Sequence, residues 1–505
     1  MYTRRTSGGA FASAAGPAHR AAGAGRGVGS GGGDLRRVLS DPLRVALVLS
    51  TIFGISRIHQ HFGFIGALRP GLLLFLFCVG YAFAVPSSVR WGVLKENWPS
   101  RGVLWLGAIA LVGIPFGLSL GGSATFMINV YSRVLLVFAV LMAATRSIQD
   151  VRLWTWAYLW SVLLLIWMGL FVMDTAAAGG SDFYRLQSSY MYDGNDLGVI
   201  LMVGLPFALL LLQSSGKMGK LMTLPVLLGA PVTIALTGSR GAFVGLVVVG
   251  AALFLLVTHI PLVKRLSVAA VLGVGVMVAA PEGYWDQMRT IIEPEDDYNL
   301  TADSGRKAIW LRGMSYMAQF PILGVGMDNF TRAEGTISEM ARNAVPGIGV
   351  PMLAPHNTFV QVGAELGIPA LLIWISFFWL GVVTLTRVRK RLPPEWARGS
   401  PDERFLYYST FYMPVAFLGL ASTTFFVSHL YLPGIYTMLA ILGGLLMEIR
   451  RRVPEALPKG GKRVTGRGGV GHRRPAPGGG FRGAPAPRPP TRPGGWPAGV
   501  PRQGM

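Results

Sequence analysis

A few side chains in this sequence have the chemistry to hold an anion or move a proton. Arg240 stands in Leu236-Thr237-Gly238-Ser239-Arg240-Gly241-Ala242, pinched between two apolar runs with almost no room for a loop. An arginine within a bilayer costs ~2.5–3.5 kcal/mol at a helix centre on insertion scales, so it needs a partner, a watery cavity or a path to the interface. Arg306 lies in Asp303-Ser304-Gly305-Arg306-Lys307-Ala308-Ile309-Trp310. In the first turn of a helix it would sit beside the positive end of the helix dipole, a pairing that attracts an anion. His356, in Ala354-Pro355-His356-Asn357-Thr358, has no partner at metal-ligand spacing. It is either a structural histidine or a general base, for which a neutral imidazole is suited near pH 7. Arg185 and Asn195 fall in a polar stretch ahead of another apolar run, where Asp193 or Asn195 can cap the helix that follows. Capping does not exclude contact with a substrate. Trp310 and Asn357, companions of Arg306 and His356, complete the binding candidates.

The elements that position these groups belong to a membrane protein. Of 505 residues, 51% are hydrophobic and 14% charged, with a mean hydropathy of +0.47. A soluble chain carries roughly a quarter charged residues. Twelve stretches read as spans, near 42–57, 64–85, 102–120, 124–145, 153–173, 195–213, 219–237, 241–259, 265–281, 367–386, 407–426 and 429–449. The expected fold is an all-α polytopic bundle of about 12 transmembrane helices, residues 41–450, with a large outer loop over 282–366 between helices 9 and 10. Lysine and arginine alternate between connections. Arg90, Lys95 and Arg101, then Lys217 and Lys220, then the Arg387–Arg404 cluster all fall on one side. The positive-inside rule makes that side cytoplasmic and puts both termini inside. Arg185 and Arg240 stay outside, against the bias.

The net charge of +22 is an end effect, since residues 1–40 and 450–505 supply 17 of it. Both ends are rich in Gly, Pro and Ala and read as disordered basic tails, 1–40 and 451–505, held near anionic lipid headgroups rather than nucleic acid. The first 40 residues have no apolar core of a signal peptide, so the first span is expected to direct insertion. One cysteine, Cys78, excludes an internal disulfide and a cysteine metal site.

Within the long loop, Pro281-Glu282-Gly283-Tyr284-Trp285 is aromatic, as at a membrane edge. The acidic run from Glu293 to Asp297 matches no metal-loop spacing and reads as a solvated turn. Residues 303–320 turn helical, with Asp303 or Ser304 as N-cap and Pro321 as terminator. Arg306, Trp310, Gly313 and Met317 share one side of that helix, expected to lie along the outer membrane surface. Gly324 and Gly326 suggest tight turns against a ligand or another helix. His59 and His61 form an H-x-H without a third ligand, better suited to an interfacial role than to metal.

Five segments, taken in order, carry a resemblance. They are Tyr192-Asp193-Gly194-Asn195-Asp196-Leu197, Thr237-Gly238-Ser239-Arg240-Gly241, Gly305-Arg306-Lys307-Ala308-Ile309-Trp310, Pro321-Ile322-Leu323-Gly324-Val325-Gly326, and Pro355-His356-Asn357-Thr358-Phe359 through Glu365-Leu366-Gly367. Over roughly residues 40–450 the chain resembles the O-antigen ligase and polymerase superfamily of bacterial membrane glycosyltransferases. The resemblance implies a GT-C-like fold in the bacterial inner membrane. It implies a glycan donor on undecaprenyl diphosphate and transfer to an acceptor hydroxyl at the periplasmic face, with no cofactor and no metal. By the family's pattern Arg240 and Arg306 would hold the diphosphate and His356 would act on the acceptor; Arg185, Asn195, Trp310 and Asn357 are the expected substrate contacts beside them. The first outer loop, Arg57 to Gly63, contains no Asp or Glu, which favours the metal-independent branch.

The acceptor is left open. Lipid A core makes the protein a ligase of lipopolysaccharide biosynthesis, another repeat unit makes it a polymerase, and a protein makes it an O-glycan transferase. A lipid-linked glycan transporter is the rival of another class. It would place polar groups deep along a central path, whereas the candidates here gather at the outer face.

Overall fold

Where no water reaches the backbone, a long apolar run satisfies its own N–H and C=O groups only by coiling into a helix. Along this chain the runs fold that way. The computed structural model describes residues 40–177, 184–186, 192–293, 302, 304–344 and 349–457. The expected tails fall outside the described residues except for their inner ends, as do Asp303 and residues 294–297 of the acidic run.

The main helices are α1 (Pro42–Ser56), α2 (Pro70–Ala84), α3 (Trp98–Gly113), α4 (Ser132–Ala144), α5 (Ile148–Phe171), α6 (Gly194–Ser214), α7 (Lys217–Thr237), α8 (Arg240–Leu256), α9 (Leu262–Ala279), α10 (Arg306–Gln319), α11 (Thr358–Arg389), α12 (Pro401–Thr424) and α13 (Pro433–Arg452). A two-stranded antiparallel pair, β1 (Thr175–Ala177) and β2 (Tyr184–Leu186), lies between α5 and α6. The chain is a mostly helical, polytopic membrane protein.

All twelve expected stretches fall on helix, but among the described residues 8 helices are long and apolar enough to cross a membrane. The difference has physical causes. The 15 residues of α1 and the 17 of α8 are apolar but fall short of the ~20 that span a bilayer. α12 has the length but carries Tyr407, Tyr408, Ser409, Thr410 and Tyr412 among its apolar residues, and α13 ends Glu448-Ile449-Arg450-Arg451-Arg452.

α6 is the central helix, with 83% of its apolar window buried, and it packs on α12, α7, α8 and α5. The span Gly63–Ala84 and α9 are peripheral, each with 6% of its window buried. Leu73, Leu76, Val263 and Val278 point outward from them, as lipid-facing side chains do.

Two sequence expectations shift here. α11 starts at Thr358, not near 367, and Gly367 (φ +85) is a break inside it. The Pro321–Gly326 segment docks at that break. Val325 N–H donates to Ala364 O at 2.8 Å, Gly326 N–H to Glu365 O at 3.1 Å, and Ile368 N–H to Pro321 O at 2.8 Å. Gly324 (φ +68) lies so close that a Cβ would stand 2.4 Å from the Glu365 carbonyl carbon. The glycines therefore serve a neighbouring helix. α10 also begins later than expected, with Gly305 as N-cap rather than Ser304 and no side-chain capping bond.

Candidate functional site

Several helices begin at one polar cluster, and short sequence signals explain why each begins there. Asp193 caps α6, accepting from the N–H groups of Asn195 and Asp196 at 2.8 Å each, and Asp196 reaches back to the Asp193 N–H at 3.2 Å. This reciprocal box fixes the start of α6. Ser239 caps α8 by accepting from Ala242 N–H at 3.0 Å, just after Gly238 (φ +59) ends α7. Asn357 caps α11, its Oδ1 accepting from Phe359 and Val360 N–H at 2.9 and 3.1 Å.

Side chains then tie these starts together. Ser239 Oγ donates to Asn195 Oδ1 at 2.6 Å, joining α8 to α6. Arg240, the first residue of α8, is half-buried and donates through Nη1 to Thr290 Oγ1 at 2.6 Å. Trp310 Nε1 donates to Pro355 O at 2.9 Å, so α10 holds the residue preceding His356. The Trp310 ring stands edge-on to Phe425, centroids 5.1 Å apart.

His356 is half-buried and sits at φ +43, the left-handed region that favours glycine. Burial lowers its pKa from the ordinary 6.5, and the Arg306 guanidinium lowers it further, while Asp193 and Asp196 pull it up. The imidazole is therefore a neutral group at pH 7 with a cation and two carboxylates around it. Arg306 is the first residue of α10.

The expected residues do not all gather. Asn195, Trp310, His356 and Arg306 join through the contacts above, and Arg240 enters beside Ser239. Asn357 is buried and spends its Oδ1 on the helix cap. Arg185 is exposed on β2 opposite Ala176, and no contact ties it to the cluster among the described residues.

Two residues escaped the sequence reading. His429 is buried, and its Nε2 lies 2.8 Å from Asp196 Oδ1. Its N–H donates to Thr358 Oγ1 at 3.0 Å, and Thr358 Oγ1 donates to Val427 O at 2.7 Å. His429 thus locks α6, α11 and the turn before α13 together. Its only sequence signal was a histidine at the edge of an apolar run. Arg57 is the other: its guanidinium lies 4.8 Å over the Tyr192 ring. Among the described residues no three His, Cys, Asp or Glu side chains stand together as a metal cluster.

The arrangement offers guanidinium groups at two helix starts, a neutral imidazole, and carboxylates fixed in hydrogen bonds. Those are the parts needed to hold an anion and accept a proton. No curated protein matches the chain. Residues 224–375 match the family model described as O-antigen ligase (Wzy_C), a stretch that contains Arg240, Arg306, Trp310, His356 and Asn357, and that match supports the O-antigen ligase/polymerase superfamily for this part of the chain.

Proposed function

We propose that this protein moves a glycan from undecaprenyl diphosphate to an acceptor hydroxyl at the periplasmic face of the bacterial inner membrane, as a ligase. The observation that carries the reading is the position of two arginines. Arg240 and Arg306 are each the first residue of a helix. The positive end of a helix dipole and a guanidinium placed beside it both attract an anion. Dipole and guanidinium together suit a diphosphate, whose charge grows as the glycosidic bond breaks. Bidentate hydrogen bonds from arginine then stabilise the leaving group without depending on pH.

In the reaction, the acceptor oxygen attacks the anomeric carbon and its proton passes to the neutral imidazole of His356. The bond from that carbon to the diphosphate oxygen breaks, and the lipid diphosphate leaves. A single in-line displacement inverts the anomeric centre. Asn195 and Trp310 position the groups around this step, and neither metal nor cofactor is called on. A growing polymer or a protein hydroxyl would be attacked by the same step, so polymerase and protein transferase differ from ligase only in the acceptor.

The test supplies lipid-linked glycan and acceptor to purified protein in detergent. Product without an ion gradient or added metal supports the transferase. Arg240→Ala and Arg306→Ala should abolish transfer with insertion intact, and lysine should rescue poorly. Wild-type turnover by both alanine variants would remove the diphosphate clamp. A protein that is folded but inert, and that moves the lipid-linked glycan across liposomes, is a transporter. In a deletion strain, free polymer on the carrier marks a ligase and single repeat units mark a polymerase.

A further inference from the structure

A second polar region does not include Arg240, Arg306 or His356. It is a cavity of about 680 Å³ between α1, the Gly63–Ala84 span, α4 and α13. Arg57, Arg69 and Arg133 all line it, and no acidic residue does. The rest of the lining is largely apolar, including Phe53, Leu72 and Val137. Its size is that of a site for an organic ligand.

Arg133 is the informative member. It lies inside Leu120–Ala144, a helical stretch long and apolar enough to cross a membrane. Charge at such a position is costly and serves a function by default. Among the described residues neither Arg133 nor Arg69 has an ion-pair or side-chain hydrogen-bond partner. Directly before Arg133 the helix makes a π-turn at Met127–Tyr131, a distortion frequent at functional sites. Tyr131 hydroxyl is held there, 2.9 Å from that of Tyr436, which lines the cavity. Arg57 and Arg69 both sit at positive φ, +49 and +46. Side chains rarely adopt that backbone conformation, so the loop keeps two strained arginines at the rim of one cavity. Outside it, α2 turns Leu73, Leu76 and Phe77 outward, an apolar face with little covering it.

Three arginines in a lining without an acidic side chain, apolar walls and an adjoining greasy face describe a site for an amphipathic anion. We propose that this cavity binds the phosphate-bearing head of a lipid, with the hydrocarbon tail lying along α2. The site is separate from Arg240 and Arg306 and stands whichever transfer reaction the protein performs. Arg57 gives it a link to the first cluster, because the same guanidinium lies over Tyr192, one residue before the Asp193 cap. A lipid seated here is next to the α6 start.

The test uses full-length protein in nanodiscs of zwitterionic lipid, with binding read by native mass spectrometry. The probes are a polyprenyl monophosphate, phosphatidylglycerol and inorganic phosphate. Saturable binding of a phosphorylated lipid is expected, weakened at least tenfold by Arg133→Gln and by Arg69→Gln and retained in Arg332→Gln, an exposed arginine that does not line the cavity. Gly71→Leu gives a charge-neutral check. A Cβ at Gly71 would stand 3.6 Å from His59 Nε2, an ordinary contact, so the larger side chain fills cavity space without forcing the backbone. It should block binding as well. Binding of the polyprenyl phosphate alone identifies a carrier lipid, and equal binding of phosphatidylglycerol identifies bulk anionic lipid, both within the proposal. Inorganic phosphate binding as tightly as either lipid overturns it. So does lipid binding unchanged in Arg133→Gln, Arg69→Gln and Gly71→Leu, or lost equally in Arg332→Gln.

Discussion

Replacing His356 by glycine and, separately, by alanine separates its chemistry from its backbone. Both variants remove the imidazole. They differ in how they tolerate φ +43 at this position. A residue with a Cβ pays roughly 1–2 kcal/mol in the left-handed region, while glycine loses roughly 0.5–1 kcal/mol more backbone freedom on folding. The glycine variant should therefore be the more stable of the two by about 0.5–1 kcal/mol, roughly a two- to fivefold difference in the folded-to-unfolded ratio. Denaturant titration of the detergent-solubilised variants, read by tryptophan fluorescence, measures the ordering. Transfer should fall equally in both, by about 10²–10⁴-fold if His356 is the general base. Added imidazole should restore turnover, more in the glycine variant, where the site is less obstructed. Wild-type turnover in the alanine variant would remove His356 from the reaction. An alanine variant more stable than the glycine one would refute the strain argument.

The pH dependence follows from the same group. His356 titrates below 6.5 because burial and Arg306 disfavour its cation, so transfer should hold steady down through pH 6.5 and fall only at more acidic pH. Asp196→Asn removes a carboxylate that raises this pKa, so the acid limb of the rate profile should move to lower pH; an unmoved limb would assign it to another group. The stability contribution has the matching sign. A histidine with a depressed folded pKa stabilises the protein above 6.5, and that contribution is lost as the pH falls from there to the folded value. Gly324→Ala places a Cβ 2.4 Å from the Glu365 carbonyl carbon at φ +68, so the Pro321–Gly326 segment should leave α11. Limited proteolysis should then cut near residue 324, with a stability loss of at least about 1–2 kcal/mol. An uncut, stable and inactive variant would show instead that the glycine faces a ligand.

How much of this was legible beforehand depended on the range of the interaction. Helical class and the places of the apolar runs are local properties, and α5, α6 and α7 lie where hydropathy puts them. The number of crossing helices was less legible, because α1 and α8 are short and α12 and α13 mix polar ends with apolar middles. The start of α11 was missed because Thr358 to Leu366 contains Gln361 and Glu365, which read as loop. In the fold these side chains are buried, and Glu365 accepts from the Tyr431 hydroxyl at 2.5 Å. Arg240, Arg306 and His356 could be noticed because each is unusual in its own neighbourhood. His429 could not. Its partner Asp196 is 233 residues away, and nothing in the periodicity of either segment pairs them.

The same separation shows why residues 224–375 do not hold the candidate site by themselves. That stretch supplies Arg240, Arg306 and His356, but the groups that fix their surroundings, Asn195, Asp196 and His429, come from α6 and from the turn before α13. What brings these pieces within hydrogen-bonding reach is a set of close glycine contacts. A Cβ at Gly194 would stand 2.8 Å from Thr237 O, and one at Gly198 would stand 2.3 Å from the Ala242 Cβ. One at Gly241 would meet Phe426 at 2.7 Å, and one at Gly245 would meet Thr423 at 2.2 Å. Small residues let membrane helices approach closely enough for backbone and short side chains to meet. Here that approach sets the 2.6 Å bond from Ser239 to Asn195, and with it the distance between the Arg240 helix start and the carboxylates that face His356. The glycines on α6 and α8 therefore position the candidate site although none of them carries chemistry.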